Sequence, residues 1–418
     1  MANASPSAQP GASTGASVEL RRTLTLPLVV LYGLGVTIGA GIYVLVGATA
    51  GVAGVYAPLS FVVAALVMVP SACSFAELVG RMPVSAGEAA YVRAGFNSQQ
   101  LSVVVGLMVV TVGTVSAAAI SIGSVGYIRQ FVDLPGSILI PIVVAAMTII
   151  AAWGVRESVT FAGIMTVIEI AGLVFIIAGG FLGPGQSLET NALQDQAPTS
   201  LTMIGFGILS GGVLAFFAFI GFEDLVNMAE ETQQPARTLP RAIFLTLIIS
   251  TVLYLLVATV AVLNVPINQL ARAEAPLSLV FERTTGVSPA TISAIAIIAT
   301  LNGVIVQIIM AARVIYGLAN QGSLPAQLGN VNAITRTPLI ATALVGMLVL
   351  ILAMVVPLTR LAETTSQITL TVFALVNIAL WNIKRRGESA PENCYIVPAW
   401  VPVVGFASCV LFLVVGLL

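Results

Sequence analysis

Gly35 to Gly47 reads GVTIGAGIYVLVG, a glycine-dense stretch inside an apolar run of the length that crosses a bilayer as a helix. In water a helix loses roughly 1 kcal/mol for each glycine that replaces an alanine. Gly39, Ala40 and Gly41 side by side therefore need a reason. Two are open: close helix packing through the small residues Gly35, Gly39 and Gly47, or a backbone that leaves helical geometry to serve a site. A dinucleotide-binding loop starting at Gly33-Leu34-Gly35 is excluded, because no strand precedes it and the third glycine is wrongly spaced.

Outward from this stretch the composition fixes the broad class. Apolar residues make up 58% of 418 positions and charged residues 8%, with a mean hydropathy of +1.06. A soluble domain carries about a quarter charged residues, so the chain is a polytopic membrane protein whose partner is the lipid bilayer. A net charge of −1 gives no ground for a nucleic-acid partner. The chain has no histidine, which removes the commonest metal ligand and the usual near-neutral acid–base group, and no metal or cofactor is expected. Cys73, Cys394 and Cys409 follow no metal-binding or redox spacing and read as inert thiols. Residues 1–22 are mostly small and polar and read as a disordered cytoplasmic tail; no secretory signal is recognisable there.

Apolar spans fall at about 26–50, 56–80, 100–131, 137–153, 158–183, 203–228, 241–263, 288–320, 338–357, 363–383 and 397–418, eleven in all. With the N-terminus inside, twelve of the sixteen Lys and Arg lie on the cytoplasmic side, among them Arg21, Arg22, Arg81, Arg156, Arg237 and Lys384; Arg129, Arg272, Arg283 and Arg360 lie outside. That bias orients the chain and puts the loop 184–202, which has no basic residue, outside.

A second interruption stands in the sixth span, where FFAFIGFED (Phe216 to Asp224) brings Gly221, Glu223 and Asp224 into an apolar run. Breaks in the first and sixth spans lie five helices apart, so the two halves have opposite orientation. This is the mark of an inverted-repeat transporter. Non-helical backbone inside a bilayer is tolerated only where it lines a protected cavity. There, the amides that open a half-helix attract an anion, and exposed carbonyls suit a cation. A zwitterion fits both.

These residues resemble the amino acid–polyamine–organocation transporter superfamily, whose first-helix motif reads close to GxxIGAGIFxLxG. The resemblance extends through SACSFAELVGRMPVSAGEAAYVRAGF (71–96), FFAFIGFEDLVNMAEETQQPARTLPRAI (216–243) and AARVIYGLANQGSLP (311–325). It implies an all-α, five-plus-five inverted repeat of the leucine-transporter type, with repeats at 23–183 and 203–384 and a loop and extra helix at 385–418. It also implies that backbone at Ile38, Gly39, Ala40 and Gly41 takes the substrate carboxylate. Carbonyls near Phe217, Ala218 and Ile220 would take the ammonium, Phe217 would act as an aromatic gate, and Asn302 would line the cavity or bond a neighbouring helix. Four features depart from the family pattern. Val46 stands where proline is common, Glu88 where many relatives have glycine, and Glu169 where several have lysine or bind sodium; the family usually has twelve helices. Glu88 is expected to affect a loop, not the pocket.

The acidic residues sort by depth. Glu77 and Arg81 form an i, i+4 pair at the end of the second span and read as structural. Glu223 or Asp224, just after the sixth-span break, is placed to support a gate. Glu169 stands thirteen positions after Arg156, about 20 Å along a helix and near the bilayer middle. An ionised side chain there costs on the order of 2.5–3.5 kcal/mol. It reads either as a protonated carboxyl bonded to a neighbouring carbonyl or as a coupling-proton site.

The expected function is a cell-membrane secondary transporter importing amino acids by alternating access, proton-coupled and favouring neutral substrates. An amino acid or polyamine exchanger without proton coupling is the alternative. Enzyme motifs are absent: neither HExxH nor a Walker loop occurs. A channel would need a repeated filter segment, and none is present.

Overall fold

The computed structural model describes residues 22–84, 87–153, 159–182 and 200–417. The expected tail 1–22 falls outside them apart from Arg22, and so does the loop 184–202 apart from 200–202, together with Arg21, Arg156 and Glu157. Every expected apolar span within the described residues forms helix. They are α1 (Leu26–Ile38), α2 (Ala40–Ala53), α3 (Ala57–Arg81), α4 (Gly87–Phe96), α5 (Gln99–Ile128), α6 (Gly136–Trp153) and α7 (Val159–Leu182), followed by α8 (Leu201–Phe217), α9 (Pro235–Asn264), α10 (Ile267–Arg272), α11 (Pro276–Thr285), α12 (Ala290–Asn320), α13 (Leu339–Val355), α14 (Leu358–Arg385) and α15 (Trp400–Val415). Among the described residues eight segments are long and apolar enough to cross a membrane, the first running from Gly41 through α3, and α1, α13 and α15 are shorter apolar helices. With α1 and α2 as one interrupted span, these account for the eleven apolar runs of the sequence. The protein is an all-α polytopic membrane protein.

Local chemistry starts the helices where the sequence changes character. Ser98 Oγ accepts from the Leu101 amide at the start of α5, and Ser200 Oγ from Met203 at the start of α8, each satisfying an amide that a helix start leaves free. In the packed bundle α12 runs along α5, α1 lies between α7 and α9, and α2 packs on α8. Phe75 meets Tyr91, Phe222 and Phe373 edge-on, tying α3, α4 and α14 to the segment after α8.

Basic residues are knitted together at one end of the bundle. Glu77 has no exposed surface. It pairs with Arg81 at 2.8 Å and Lys384 at 2.7 Å, and accepts from the Val397 amide at 2.8 Å. Arg386 donates to the Gly95 and Ala94 carbonyls, and Arg237 to Asn393 Oδ1. Leu24, just before α1, pairs with the backbone of Glu231 and Gln233, so the entry to the first span is held to the exit from the sixth. Arg129, assigned by sequence to the opposite side, bonds instead to Glu274, between α10 and α11.

Candidate functional site: two helix breaks around a central cavity

Both interrupted spans are broken where the sequence loses helical character. Gly39 ends α1 and precedes α2 with φ −39° and ψ −121°, outside the helical region. In the sixth span α8 ends at Phe217, and Ala218, Phe219 and Ile220 turn back onto carbonyls three residues earlier. Gly221 takes φ 125°, a left-handed conformation that strains any residue with a Cβ. A short 3-10 turn, Phe222–Met228, follows. Glu223 closes this break, with one carboxylate oxygen accepting from the Gly221 amide at 2.8 Å.

The glycines of GVTIGAGIYVLVG divide between the two readings. A Cβ on Gly35 would collide with Thr166 Oγ1 of α7, and one on Gly47 would lie 2.5 Å from the Leu270 carbonyl; these are packing glycines. Gly39 has no neighbour that close, the nearest lying 3.4 Å from a built Cβ, and marks the break itself. Gly41 faces the other break so closely that a Cβ would overlap Ala218 Cα. The two breaks therefore lie against each other. Tyr254 of α9 fastens them: its hydroxyl lies 2.7 Å from the Thr37 carbonyl and 2.8 Å from that of Ala218. A hydroxyl has one proton to donate, so it serves both carbonyls in a shared contact.

Between the breaks lies a cavity of about 40 Å³, larger than the space one water needs. Gly41, Phe217, Ile220 and Asn302 line it, alongside Gly35, Val36 and Thr37. Ile38, Gly39 and Ala218 belong to the breaks but are not among the lining residues, and Ala40 opens α2 beside them. The far wall comes from α5 and α12, through Ser116, Ile120, Val306 and Gln307. Sequence reading missed that wall, because small, apolar and amide residues on continuous helices carry no local signal. The amides that open α2 lack intrahelical partners by the geometry of any helix start, and the turn after α8 presents carbonyls. Asn302 makes no side-chain hydrogen bond to another described residue.

Glu169 is the eleventh residue of the 24-residue α7, at its middle. It has no exposed surface, and neither carboxyl oxygen has a hydrogen-bond partner. The expected bond to a neighbouring carbonyl is thus not made. Its backbone carbonyl accepts from the Tyr43 hydroxyl of α2 at 2.9 Å. The phenols of Tyr43 and Tyr254 both lie within electrostatic reach of its carboxyl group. Glu169 does not line the cavity; Tyr254, which contacts both breaks, is the link between them and its carboxyl group.

A second, smaller cavity of about 20 Å³ is lined by Glu88, Glu223, Asp224, Gln307 and Thr369, and shares Ile220 and Gln307 with the first. Glu88 departs from the sequence expectation. It is buried and lines a cavity wall, where an effect on a loop away from any pocket was expected. Gly87 (φ 41°) starts α4 so close to Asn227 that a Cβ would lie 2.8 Å from Asn227 Oδ1, which presses Glu88 against the turn carrying Glu223 and Asp224. Burial pushes the Glu88 carboxyl up to about 7; its own backbone amide opposes the shift and Asp224 adds to it.

Interrupted helices meeting at an internal cavity in an all-α membrane protein define a membrane transporter built on broken spans. The chain belongs to the amino acid permease family of the amino acid–polyamine–organocation superfamily, whose profile matches residues 24–418. It is 29% identical to the branched-chain amino acid permease BcaP of Bacillus subtilis (strain 168), over 97% of this chain and 90% of that one. It is 31% identical to the vacuolar cationic amino acid transporter 4 of Arabidopsis thaliana, covering 87% of this chain and 63% of the plant protein. It is 26% identical to the methylthioribose transporter of B. subtilis, over 95% of this chain and 89% of that one. The family is a transporter family, and the protein is a multi-pass amino acid permease.

Proposed function

We propose that this permease is a proton-coupled secondary importer of amino acids, working by alternating access in the cell membrane with its N-terminus inside. The substrate carboxylate is held by the amides at Gly39, Ala40 and Gly41, its ammonium by carbonyls near Phe217, Ala218 and Ile220, and Phe217 and Glu223 serve as gates. Glu169 carries the coupling proton. One observation carries this reading: a carboxyl group in mid-helix, without exposure or partner, on a residue whose backbone carbonyl bonds Tyr43 of α2 and within electrostatic reach of Tyr254, the tyrosine that contacts both breaks. Protonated, it is tolerable there; ionised, it needs water or a donor. A proton at Glu169 is therefore sensitive to how the breaks are arranged, and that sensitivity is what coupling requires.

Ile120, Phe217, Ile220 and Val306 make much of the cavity wall apolar, which favours neutral side chains, and a relative named for branched-chain substrates agrees. The basic end of the bundle faces the cytoplasm on the charge rule. The test is uptake into proteoliposomes, with each of the twenty amino acids and the common polyamines as competitors and with and without an inward proton gradient. Gradient-dependent accumulation displaced by leucine or valine is expected. Gradient-independent exchange would make the protein an antiporter.

A further inference from the structure

The smaller cavity contains more than a gate requires. Glu88, Glu223 and Asp224 reach it from α4 and the turn after α8. Among the described residues, none of the three takes part in an ion pair. Two further side chains line it without partners of their own. Gln307 Oε1 from α12 and Thr369 Oγ1 from α14 are both buried and neither makes a hydrogen bond. Five side chains that accept hydrogen bonds thus surround one small space, and no cationic side chain lines it.

Unsatisfied buried acceptors and uncompensated carboxylates are both unfavourable, and one kind of occupant relieves both. It must be cationic and must donate several hydrogen bonds. Among the described residues no three acidic, histidine or cysteine side chains converge closely enough to hold a metal ion together. A cavity of about 20 Å³ accepts a group of about the size of one water molecule. A primary ammonium is that size, carries the charge and offers three donors; a guanidinium is larger and planar.

We propose that this cavity is a second binding site, specific for a primary ammonium group. It lies on the cytoplasmic side of the central cavity, and an amine-bearing substrate occupies it on leaving. The proposal rests on the transport reading for its direction but not for its chemistry. The two cavities share Ile220 and Gln307, so an ammonium released by the carbonyls of the broken sixth span meets Gln307 next and then the carboxylates. The occupant's ammonium is either the α-ammonium of any amino acid or the side-chain ammonium of a dibasic one.

The test uses the purified full-length protein in lipid nanodiscs, with leucine and cadaverine as radiolabelled probes at equilibrium. Glu88→Gln and Asp224→Asn each replace an ionisable carboxyl by an amide, and Thr369→Val is a milder change that removes a single acceptor. Glu88 lies on neither break, so its loss leaves the central cavity's walls in place. Cadaverine binding should weaken about tenfold in each acid variant, the effect expected for a lost hydrogen bond to a charged group, and less in Thr369→Val. If leucine weakens in parallel, the α-ammonium is an occupant; if leucine holds, the site reads side-chain ammonium alone. Wild-type affinity for both probes in folded, monodisperse variants, or no cadaverine binding to the wild type, overturns the proposal. Failure of the wild type to bind leucine would count against the transport reading, while cadaverine still reports on the inner site.

Discussion

Glu77 and Glu169 are both carboxylates without exposed surface, each on a helix of the bundle, and their surroundings are opposite. Glu77 accepts from Arg81, Lys384 and the Val397 amide, which ties α3 to α14 and to the segment before α15. Glu169 has no partner for either oxygen. A buried charge with fixed partners is a strut, because moving it away would strand it and them. A buried carboxyl without hydrogen-bond or ion-pair partners has no such anchor, and in the proposed mechanism its protonation follows the conformation. The contrast sets a braced end of the molecule against an unbraced middle, and it can be tested at both places.

The largest expected effect lies in the middle. Gly41→Leu puts a side chain where even a Cβ overlaps Ala218, so uptake should vanish although the protein still reaches the membrane. Undiminished uptake in a well-expressed variant would separate the two breaks from the substrate site. At the braced end, Glu77→Gln strands the charges of Arg81 and Lys384, whose side chains are only 9% and 11% exposed. Breaking such a pair costs about 3–5 kcal/mol, which a thermal melt in detergent would register as a large drop, while substrate affinity in the surviving folded fraction should hold. Unchanged melting would remove the strut from the account.

Tyr254→Phe should have a smaller effect. It takes away the donor shared by the Thr37 and Ala218 carbonyls, a loss of about 1–3 kcal/mol for buried acceptors left unpaired. Melting should fall modestly and uptake should drop several-fold, because the breaks lose their common fastening. If uptake is unaffected while the melt falls, the tyrosine only packs the core.

Much of the fold was legible in the sequence because the bilayer restricts it to helices of a certain length. The eleven apolar runs and both breaks could be located from hydropathy, glycine and misplaced charge. Contacts between distant segments could not. Tyr254 sits in an unremarkable apolar helix, and nothing local says that its hydroxyl reaches residues 36 and 217 positions away. Lys384 read as one more cytoplasmic charge until it met Glu77. Glu88 was misjudged because its burial depends on a turn more than a hundred residues later in the chain. For Glu169 the sequence supplied depth, since position along a helix fixes height in the membrane. It could not supply the missing partners, which depend on which side chains the neighbouring helices turn toward it.

Glu169→Gln tests the central claim most directly. Glutamine keeps the shape of the protonated carboxyl but cannot titrate, and with no ion pair to break it should leave the melting temperature nearly unchanged, in contrast to Glu77→Gln. Purified wild type and variant, reconstituted in liposomes, would be compared for amino acid accumulation with and without an imposed inward proton gradient. The account predicts that the variant still binds and exchanges substrate but no longer accumulates it when the gradient is applied. Gradient-driven accumulation with the wild-type pH dependence would contradict it, and would assign Glu169 to packing instead of coupling.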